Sequence, residues 1–116
     1  MNMTQLRYVV LHHTGVEVPH FDVMFETAPD SLLATYRVSQ WPIEQMSPAQ
    51  NLGDHRRIYL TYEGPIAGDR GHVRRVASGA CNVVREGNGW AVAFFSECAL
   101  THGVRFEPGC AIPFRV

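Results

Sequence analysis

The feature that most constrains the fold of this chain is a period-two alternation of apolar and polar residues. In the segment His20–Glu26, three apolar side chains point to one face, and the opposite face carries His20, Asp22, Met24 and Glu26. Comparable β-rich runs occupy Tyr8–His13, Leu32–Val38, His55–Tyr62, His72–Ser78, Ala80–Arg85 and Trp90–Ser96. Because no long window has the 3.6-residue period of a helix, the sequence predicts an all-β, mainly antiparallel fold: a small β-barrel with at most short helical turns.

Turn signals separate these runs. Glu86-Gly87-Asn88-Gly89 is typical of a tight hairpin, since Gly and Asn adopt a positive φ at low cost. Trp41–Gly53 contains Pro42 and Pro48, and it is interpreted as a long loop. A closing strand near Phe106–Phe114 is predicted to be broken by Pro108-Gly109. The length of 116 residues, with no linker, predicts a single domain over residues 1–116.

The basic residues are all arginine, which excludes several chemistries. Ten arginines face eleven acidic residues, and the chain has no lysine. A phosphate-loop lysine, a Schiff-base lysine and a lysine nucleophile for nucleotidyl transfer are therefore excluded. The net charge of −1 argues against a strongly basic nucleic-acid coat. Any bound phosphate would be held by arginine, histidine, backbone N–H groups or a metal.

The cysteines and the hydropathy indicate in which cellular compartment the protein is expected. Cys81, Cys98 and Cys110 have no C-x-x-C spacing, and an odd number without a signal peptide predicts reduced structural thiols in a cytoplasmic protein. No apolar run approaches the roughly 20 residues that a membrane-spanning helix needs, so no membrane association is expected.

The His20-x-Asp22 pair is a candidate for metal binding. A period of two places both side chains on one strand face, and imidazole nitrogen with carboxylate oxygen suits Mn, Zn or Co. His12 or His13 could add a third ligand from the end of the preceding strand. Three ligands with open positions are what a catalytic metal site needs. The alternative interpretation is a solvated polar strand face.

A second candidate cluster lies in the segment Asp54–Tyr59. If this segment is a strand, His55, Arg57 and Tyr59 share one face. An imidazole, a guanidinium and a phenol can each bind phosphate oxygens. The alternative is again an exposed polar face.

Taken together and in order, several segments resemble the 3'-phosphoesterase domain of bacterial ATP-dependent DNA ligase D. The resemblance runs over roughly residues 7 to 80, and it suggests a stand-alone, divergent version of that domain. The segments that carry it are Tyr8–His13, His20–Glu26, Leu33–Val38, Asp54–Tyr59, Tyr62–Ile66 and Gly68–Gly71.

The resemblance implies a function and a set of residues. The metal ligands of the family fall on His13 (with His12 as the alternative), His20 and Asp22, and its phosphate-contacting residues fall on His55 and Tyr59. The implied cofactor is a divalent metal, manganese before zinc or cobalt. The implied activity is removal of a 3'-phosphate or a terminal ribonucleotide from a DNA or DNA/RNA primer end in DNA repair. Separate repair ligase or polymerase proteins are the implied partners.

One departure from the family pattern affects the expected chemistry. The family's phosphate-gripping arginine, two residues after the ligand Asp, is Met24 here. Losing such a charge-assisted contact costs on the order of 1.5–3 kcal/mol. Arg57 is one expected replacement and a catalytic candidate, and Arg70 from the glycine-rich turn is the other. Glu26 is a candidate for a contact that orients a ligand histidine.

Two other functions remain open on the sequence. The loss of the arginine at Met24 favours a weak or inactive module that binds nucleic-acid ends or a protein on the same barrel. A cupin-like metal barrel acting on a small molecule is a third reading, although the His-x-His pair typical of cupins is absent.

Overall fold

A computed structural model describes residues 5–95 and 100–115, and in these ranges the chain is built almost entirely of antiparallel strands. A single 3-10 turn, Arg57–Leu60, interrupts them in the described ranges. The strands are β1 (Leu6–Thr14), β2 (His20–Glu26), β3 (Leu33–Val38), β4 (Ser47–His55), β5 (Gly64–Pro65), β6 (His72–Glu86), β7 (Gly89–Phe95), β8 (Leu100–Glu107) and β9 (Cys110–Phe114). The predicted all-β, mainly antiparallel fold is therefore confirmed.

Eight of the strands close into a ring, in the order β1-β2-β3-β4-β9-β8-β7-β6, with β6 pairing back to β1. The short β5 pairs with the start of β6. The first part of β6 pairs with β1 and its last part with β7, so this long strand forms the seam of the ring. Closure pairs the backbone groups that would otherwise be exposed at the edges of β1 and β6.

Aromatic side chains fill the interior of the ring of strands. The rings of Tyr36 and Phe106 stack with their centroids 4.6 Å apart, and the Phe25 ring lies 5.7 Å from that of Phe106. Phe25 and Phe106 are fully buried. The alternation in β2 explains this placement, since Val23 and Phe25 face the interior as predicted.

The outer face of β1, β2 and β3 positions the candidate site. At its centre lies a second apolar group, here called the outer cluster: Val9, Leu11, Met24, Leu33, Leu60 and Val73. The segment that contains the 3-10 turn and β5 covers it, with Tyr59, Tyr62 and Ile66 packed against it. The face is therefore apolar in its middle, and the polar residues His20 and Glu26 lie at its two ends.

The interpretation of Trp41–Gly53 as a long loop is wrong, because Ser47–His55 forms β4. The register of β4 against β3 shifts opposite Thr35 and Tyr36, and the Asn51 side-chain oxygen accepts the N–H of Gly53 there. Pro48 lies near the start of the strand, where a missing N–H is tolerated. A strand with an irregular register can therefore contain residues that ordinarily indicate a loop.

The predicted strand His55–Tyr62 is also wrong. Beyond His55 the chain turns into the 3-10 segment, whose Leu60 is buried in the outer cluster. The backbone N–H groups of Thr61 and Tyr62 both bond to the carbonyl of Ile58, so local turn bonds replace strand pairing. His55, Arg57 and Tyr59 consequently do not share a strand face.

Two smaller differences concern strand number. The two predicted strands His72–Ser78 and Ala80–Arg85 are one continuous strand, β6. The predicted break at Pro108-Gly109 is instead the turn of a hairpin, because Glu107 pairs with Cys110 across it. The predicted Gly87-Asn88 hairpin is confirmed by the pairing of Glu86 with Gly89.

Cys81 and Cys110 are free thiols, and burial raises the pKa of the Cys81 thiol to about 12. An apolar environment of this kind makes a thiol unreactive. Cys98 lies outside the described residues. Among the described residues, no helix has the length and apolar character that crossing a bilayer requires.

Candidate metal centre

His13, His20 and Asp22 converge at one end of the outer face. These three candidate ligands are here called the ligand group. The antiparallel register pairs His13 near the end of β1 directly with His20 at the start of β2, and Asp22 lies two residues further on the same face of β2. The hairpin Gly15–Pro19 joins the two strands. The convergence therefore follows from one hairpin and the period of two, which are the two features used to predict it.

The spacing of the three groups fits a metal ion. The Nδ1 atom of His13 lies 3.1 Å from the Nε2 atom of His20. Asp22 places Oδ1 at 3.6 Å from His20 Nε2 and Oδ2 at 3.8 Å from His13 Nδ1. Ligands at about 2.0–2.2 Å from a tetrahedral metal are separated by roughly 3–3.6 Å. The measured separations are close to that range.

Backbone carbonyls hold the outer nitrogen of each ring. His20 Nδ1 lies 2.9 Å from the carbonyl oxygen of Val18, and His13 Nε2 lies 2.6 Å from that of Arg70. Because a carbonyl oxygen only accepts, each of these nitrogens donates an N–H. In neutral imidazoles the two inner nitrogens, His13 Nδ1 and His20 Nε2, then carry lone pairs that face each other. A cation between them satisfies both, and this arrangement is the usual one for metal-binding histidines.

The burial of His20 favours its neutral imidazole. His20 is 9% exposed and Asp22 is 5% exposed. Burial lowers the pKa of His20 below the ordinary histidine value, although its bond to Val18 and the charge of Asp22 oppose the shift. Metal ligation requires the unprotonated ring. Among the described residues, Asp22 Oδ1 is buried and has no hydrogen-bond partner.

Arg37 belongs to this site, and the motif analysis missed it. The β2–β3 register pairs Arg37 directly with Asp22, and its Nε atom lies 3.5 Å from Asp22 Oδ1. Among the described residues, this buried Nε has no hydrogen-bond partner. The signal was available in the sequence, since a hairpin between His20–Glu26 and the next strand brings one residue of that strand opposite Asp22. The sequence alone does not determine which residue of that strand lies opposite Asp22.

A cleft of about 920 Å³ opens beside the candidate ligands. His13, His20, Arg37 and Arg70 line it together with apolar residues, among them Val18 and Pro19, which come from the β1–β2 connection. A cavity with mostly apolar walls and a few convergent polar groups is typical of a small-molecule or cofactor site.

His12 lies away from the candidate ligands. Its ring stacks on Phe21 with centroids 4.4 Å apart, and these two residues pair directly in the β1–β2 register. Because successive residues of a strand face opposite ways, His12 and His13 cannot both point into the site. The structure brings His13 to the ligand group and not His12.

Glu26 and Arg57 lie together at the other end of the outer face. Arg57 Nη1 donates to Glu26 Oε2 at 2.6 Å and to the carbonyl oxygen of Ser31 at 2.7 Å. Glu26 is also the acceptor for the backbone N–H of Arg7. Glu26 lies four positions beyond Asp22 along β2, about 13 Å in a strand. The structure therefore places these two predicted residues outside the ligand group.

His55 and Tyr59 neighbour each other, with ring centroids 6.0 Å apart. His55 pairs with Leu33, four positions from Arg37 along β3, and Tyr59 packs against the outer cluster. Among the described residues, the buried His55 Nδ1 has no hydrogen-bond partner. These two residues stay together, but they lie towards the Glu26 end of the face.

Arg70 reaches the site in two ways. Its carbonyl accepts from His13, and Arg70 is among the residues that line the cleft, although its Nε donates to the carbonyl of Ala67 at 2.7 Å. Of the two arginines expected to take the place of an arginine at Met24, Arg70 is thus the one beside the candidate ligands.

Comparison with protein-family models gives no match for this chain, and no curated protein matches it.

Proposed function

We propose that this protein is a divalent-metal-dependent phosphoesterase that processes the 3' ends of nucleic acid in DNA repair. The observation that carries the proposal is the convergence of His13, His20 and Asp22 at the edge of a cleft. The guanidinium of Arg37 lies next to them. Two imidazoles and a carboxylate form a suitable ligand set for a catalytic metal, and an adjacent arginine suits a phosphate group.

His13, His20 and Asp22 would hold the ion, with manganese as the proposed metal and zinc or cobalt as alternatives. When bound, a divalent ion neutralises phosphate charge and lowers the pKa of a coordinated water. The carbonyls of Val18 and Arg70 orient the two imidazoles, so the ligand atoms need little reorganisation when the ion binds.

The other residues of the cleft would bind and orient the substrate. Arg37 and Arg70 both line the cleft next to the candidate ligands, and the residues of the β1–β2 connection add apolar wall to it. Since the chain has no lysine, phosphate binding by a charged side chain depends on arginine.

The choice of a 3' nucleic-acid end rests on the resemblance to the ligase D phosphoesterase domain over residues 7–80. A DNA or DNA/RNA primer end is the proposed substrate, and separate repair ligase or polymerase proteins in the cytoplasm are the proposed partners. The cleft is larger than a single phosphate group requires, which is compatible with a terminal nucleotide.

The proposal is tested by incubating the purified protein and Mn²⁺ with a 3'-phosphorylated primer and with a primer that ends in one ribonucleotide. We expect product from at least one of them, and we expect His20→Ala to abolish the activity and manganese binding together. His12→Ala is the matched control, because His12 is the neighbouring histidine outside the ligand group. An absence of product at high enzyme concentration would count decisively against the proposal.

A second function, binding of nucleic-acid ends without turnover, is favoured by two observations. Met24, at the position of the family's arginine, is buried in the outer cluster, and Arg57 is engaged by Glu26. This alternative predicts salt-sensitive DNA binding by the wild-type protein that persists in His20→Ala, with no hydrolysis by either protein.

A further inference from the structure

We propose that Arg37 binds the phosphoryl group of the substrate and so replaces the arginine that is missing at Met24. This inference deepens the proposed phosphoesterase function and rests on it. It assigns the phosphate contact to a different strand, β3, and to a residue that the motifs did not indicate.

The position of Arg37 relative to Asp22 is the first observation. The two residues are direct cross-strand partners, yet Arg37 Nε remains 3.5 Å from Asp22 Oδ1 and makes no hydrogen bond to it. A guanidinium with a purely structural role beside a carboxylate would form the shorter bidentate contact that this pair favours. The Nε–H is buried and has no acceptor among the described residues, which costs stability until an acceptor binds.

Access is the second observation. The Arg37 side chain is 38% exposed although its Nε is buried, and it lines the cleft beside His13 and His20. The guanidinium therefore bridges the buried carboxylate and the open cleft. An oxyanion in the cleft could contact the guanidinium and lie next to the metal ligands at the same time.

Three other arginines near this face each make a contact away from the candidate ligands. Arg57 is bound to Glu26 and to the carbonyl of Ser31, and Arg70 donates its Nε to Ala67. Arg75 is paired with Glu63 at 3.7 Å. Arg37 thus combines a position at the candidate ligands with a partly exposed side chain that lines the cleft.

The charges of the site make anion binding dependent on the metal. Without an ion, the acidic Asp22, Glu17 and Asp69 outnumber the basic Arg37 and Arg70, so a phosphate gains no net attraction. A divalent ion held by His13, His20 and Asp22 leaves the site with a net positive charge. We therefore expect Arg37 and the ion to bind the same phosphate group together.

The test is calorimetric titration of inorganic phosphate into the Mn²⁺-loaded protein, after a separate titration of Mn²⁺ into the metal-free protein. We expect wild-type protein to bind phosphate only when Mn²⁺ is present. Arg37→Gln should weaken phosphate binding by about 10- to 100-fold and leave Mn²⁺ affinity within about threefold of wild type. Arg37→Lys should recover only part of the loss, because an ammonium lacks the guanidinium fork.

Arg105→Gln is the matched control, since Arg105 is paired with Glu86 and Glu107 and contributes nothing to the cleft. If wild-type protein binds Mn²⁺ but no phosphate, the proposed phosphoesterase function fails, and the inference fails with it. If wild type and Arg37→Gln bind phosphate equally, the function stands and only the assignment of Arg37 is overturned. A parallel loss of Mn²⁺ affinity in Arg37→Gln would make Arg37 a positioning residue for Asp22 and would also overturn the assignment.

Discussion

Arg57 Nη1 lies 2.6 Å from Glu26 Oε2, on the same sheet face as the candidate metal ligands but at the opposite end of β2. Glu26 is 3% exposed, and it also accepts the backbone N–H of Arg7. One carboxylate therefore joins β1, β2 and the segment that covers the outer cluster. This arrangement suggests that Arg57 contributes to the fold more than to the binding of a ligand.

We expect Arg57→Ala to lower the free energy of unfolding by about 1–3 kcal/mol, because it leaves a buried carboxylate without its cation. Breaking fully buried pairs costs more, but the Arg57 side chain is one-third exposed. Urea denaturation measures the change, and a Mn²⁺ titration of the same protein should match wild type. A variant that kept its stability and lost phosphate or metal binding would instead make Arg57 a site residue.

Gly71→Ala should weaken metal binding although Gly71 is not a ligand. Gly71 has a φ of +81°, and a Cβ there would overlap the carbonyl oxygen of Thr14. The adjacent Arg70 carbonyl holds the His13 ring, so displacing this turn should release the imidazole. Outer contacts of this kind are worth roughly 10–100-fold in metal affinity.

The measurement for Gly71→Ala is Mn²⁺ affinity together with thermal unfolding. Gly109→Ala is the control, because Gly109 has a similar φ of +86° but open space around its Cβ position. Both variants should lose stability from backbone strain, and only Gly71→Ala should lose metal affinity. Equal metal affinities in the two would contradict the role assigned to the Arg70 carbonyl.

Phe106→Ala should destabilise the protein by about 3–5 kcal/mol, as is typical when a buried aromatic ring is removed. Phe106 is fully buried and stacks on Tyr36 and Phe25 inside the ring of strands. Guanidinium or urea denaturation measures the loss. Phe106→Leu should lose clearly less, because leucine refills part of the buried volume. Equal losses in the two variants would contradict this account, since the contribution of Phe106 would then depend on the shape of its ring and not on the volume that it fills.

The stability of the protein should fall as the pH drops below about 6.5, and His102 should account for part of the fall. Burial lowers the pKa of His102, whose ring lies against Trp41 and Phe94. Below the unfolded pKa of about 6.5, the unfolded chain takes up a proton that the folded protein does not, and this favours unfolding until the folded pKa is reached.

His102→Phe removes this group and should lessen the difference between the free energies of unfolding at pH 7.5 and pH 5.5. His20, whose pKa is lowered as well, remains in both proteins and contributes equally to each. Denaturation curves of wild type and variant at the two pH values provide the comparison. An unchanged difference would mean that His102 has the same pKa in the folded and the unfolded state.

The ligand group could be predicted from the sequence because it depends on two local rules. Alternation places His20 and Asp22 on one face, and a short hairpin brings the end of the preceding strand beside them. The choice between His12 and His13 remained open, since it depends on the register of that hairpin. The pairing of His13 with His20 settles which ring reaches the group.

The regions predicted wrongly are those in which tertiary contacts override local preference. Asn51 and Gly53 indicate a loop, but here they form an irregularity within β4 that pairing with β3 stabilises. The alternation in His55–Tyr62 indicates a strand, but Leu60 is buried through a 3-10 turn that covers the outer cluster. Arg37 was missed for a related reason, because its role depends on the register between β2 and β3.

The seam between β1 and β6 has a consequence for how the site is assembled during folding. His13 pairs with Val73, and its ring nitrogen contacts the Arg70 carbonyl, so completing its environment requires segments about half the chain apart to meet. The β1–β2 hairpin is local and can form early, whereas closing the ring carries the larger entropic cost of a long loop. We therefore expect the two histidines to approach each other before the outer nitrogen of His13 is fixed, and metal affinity to rise sharply only as the last strands close.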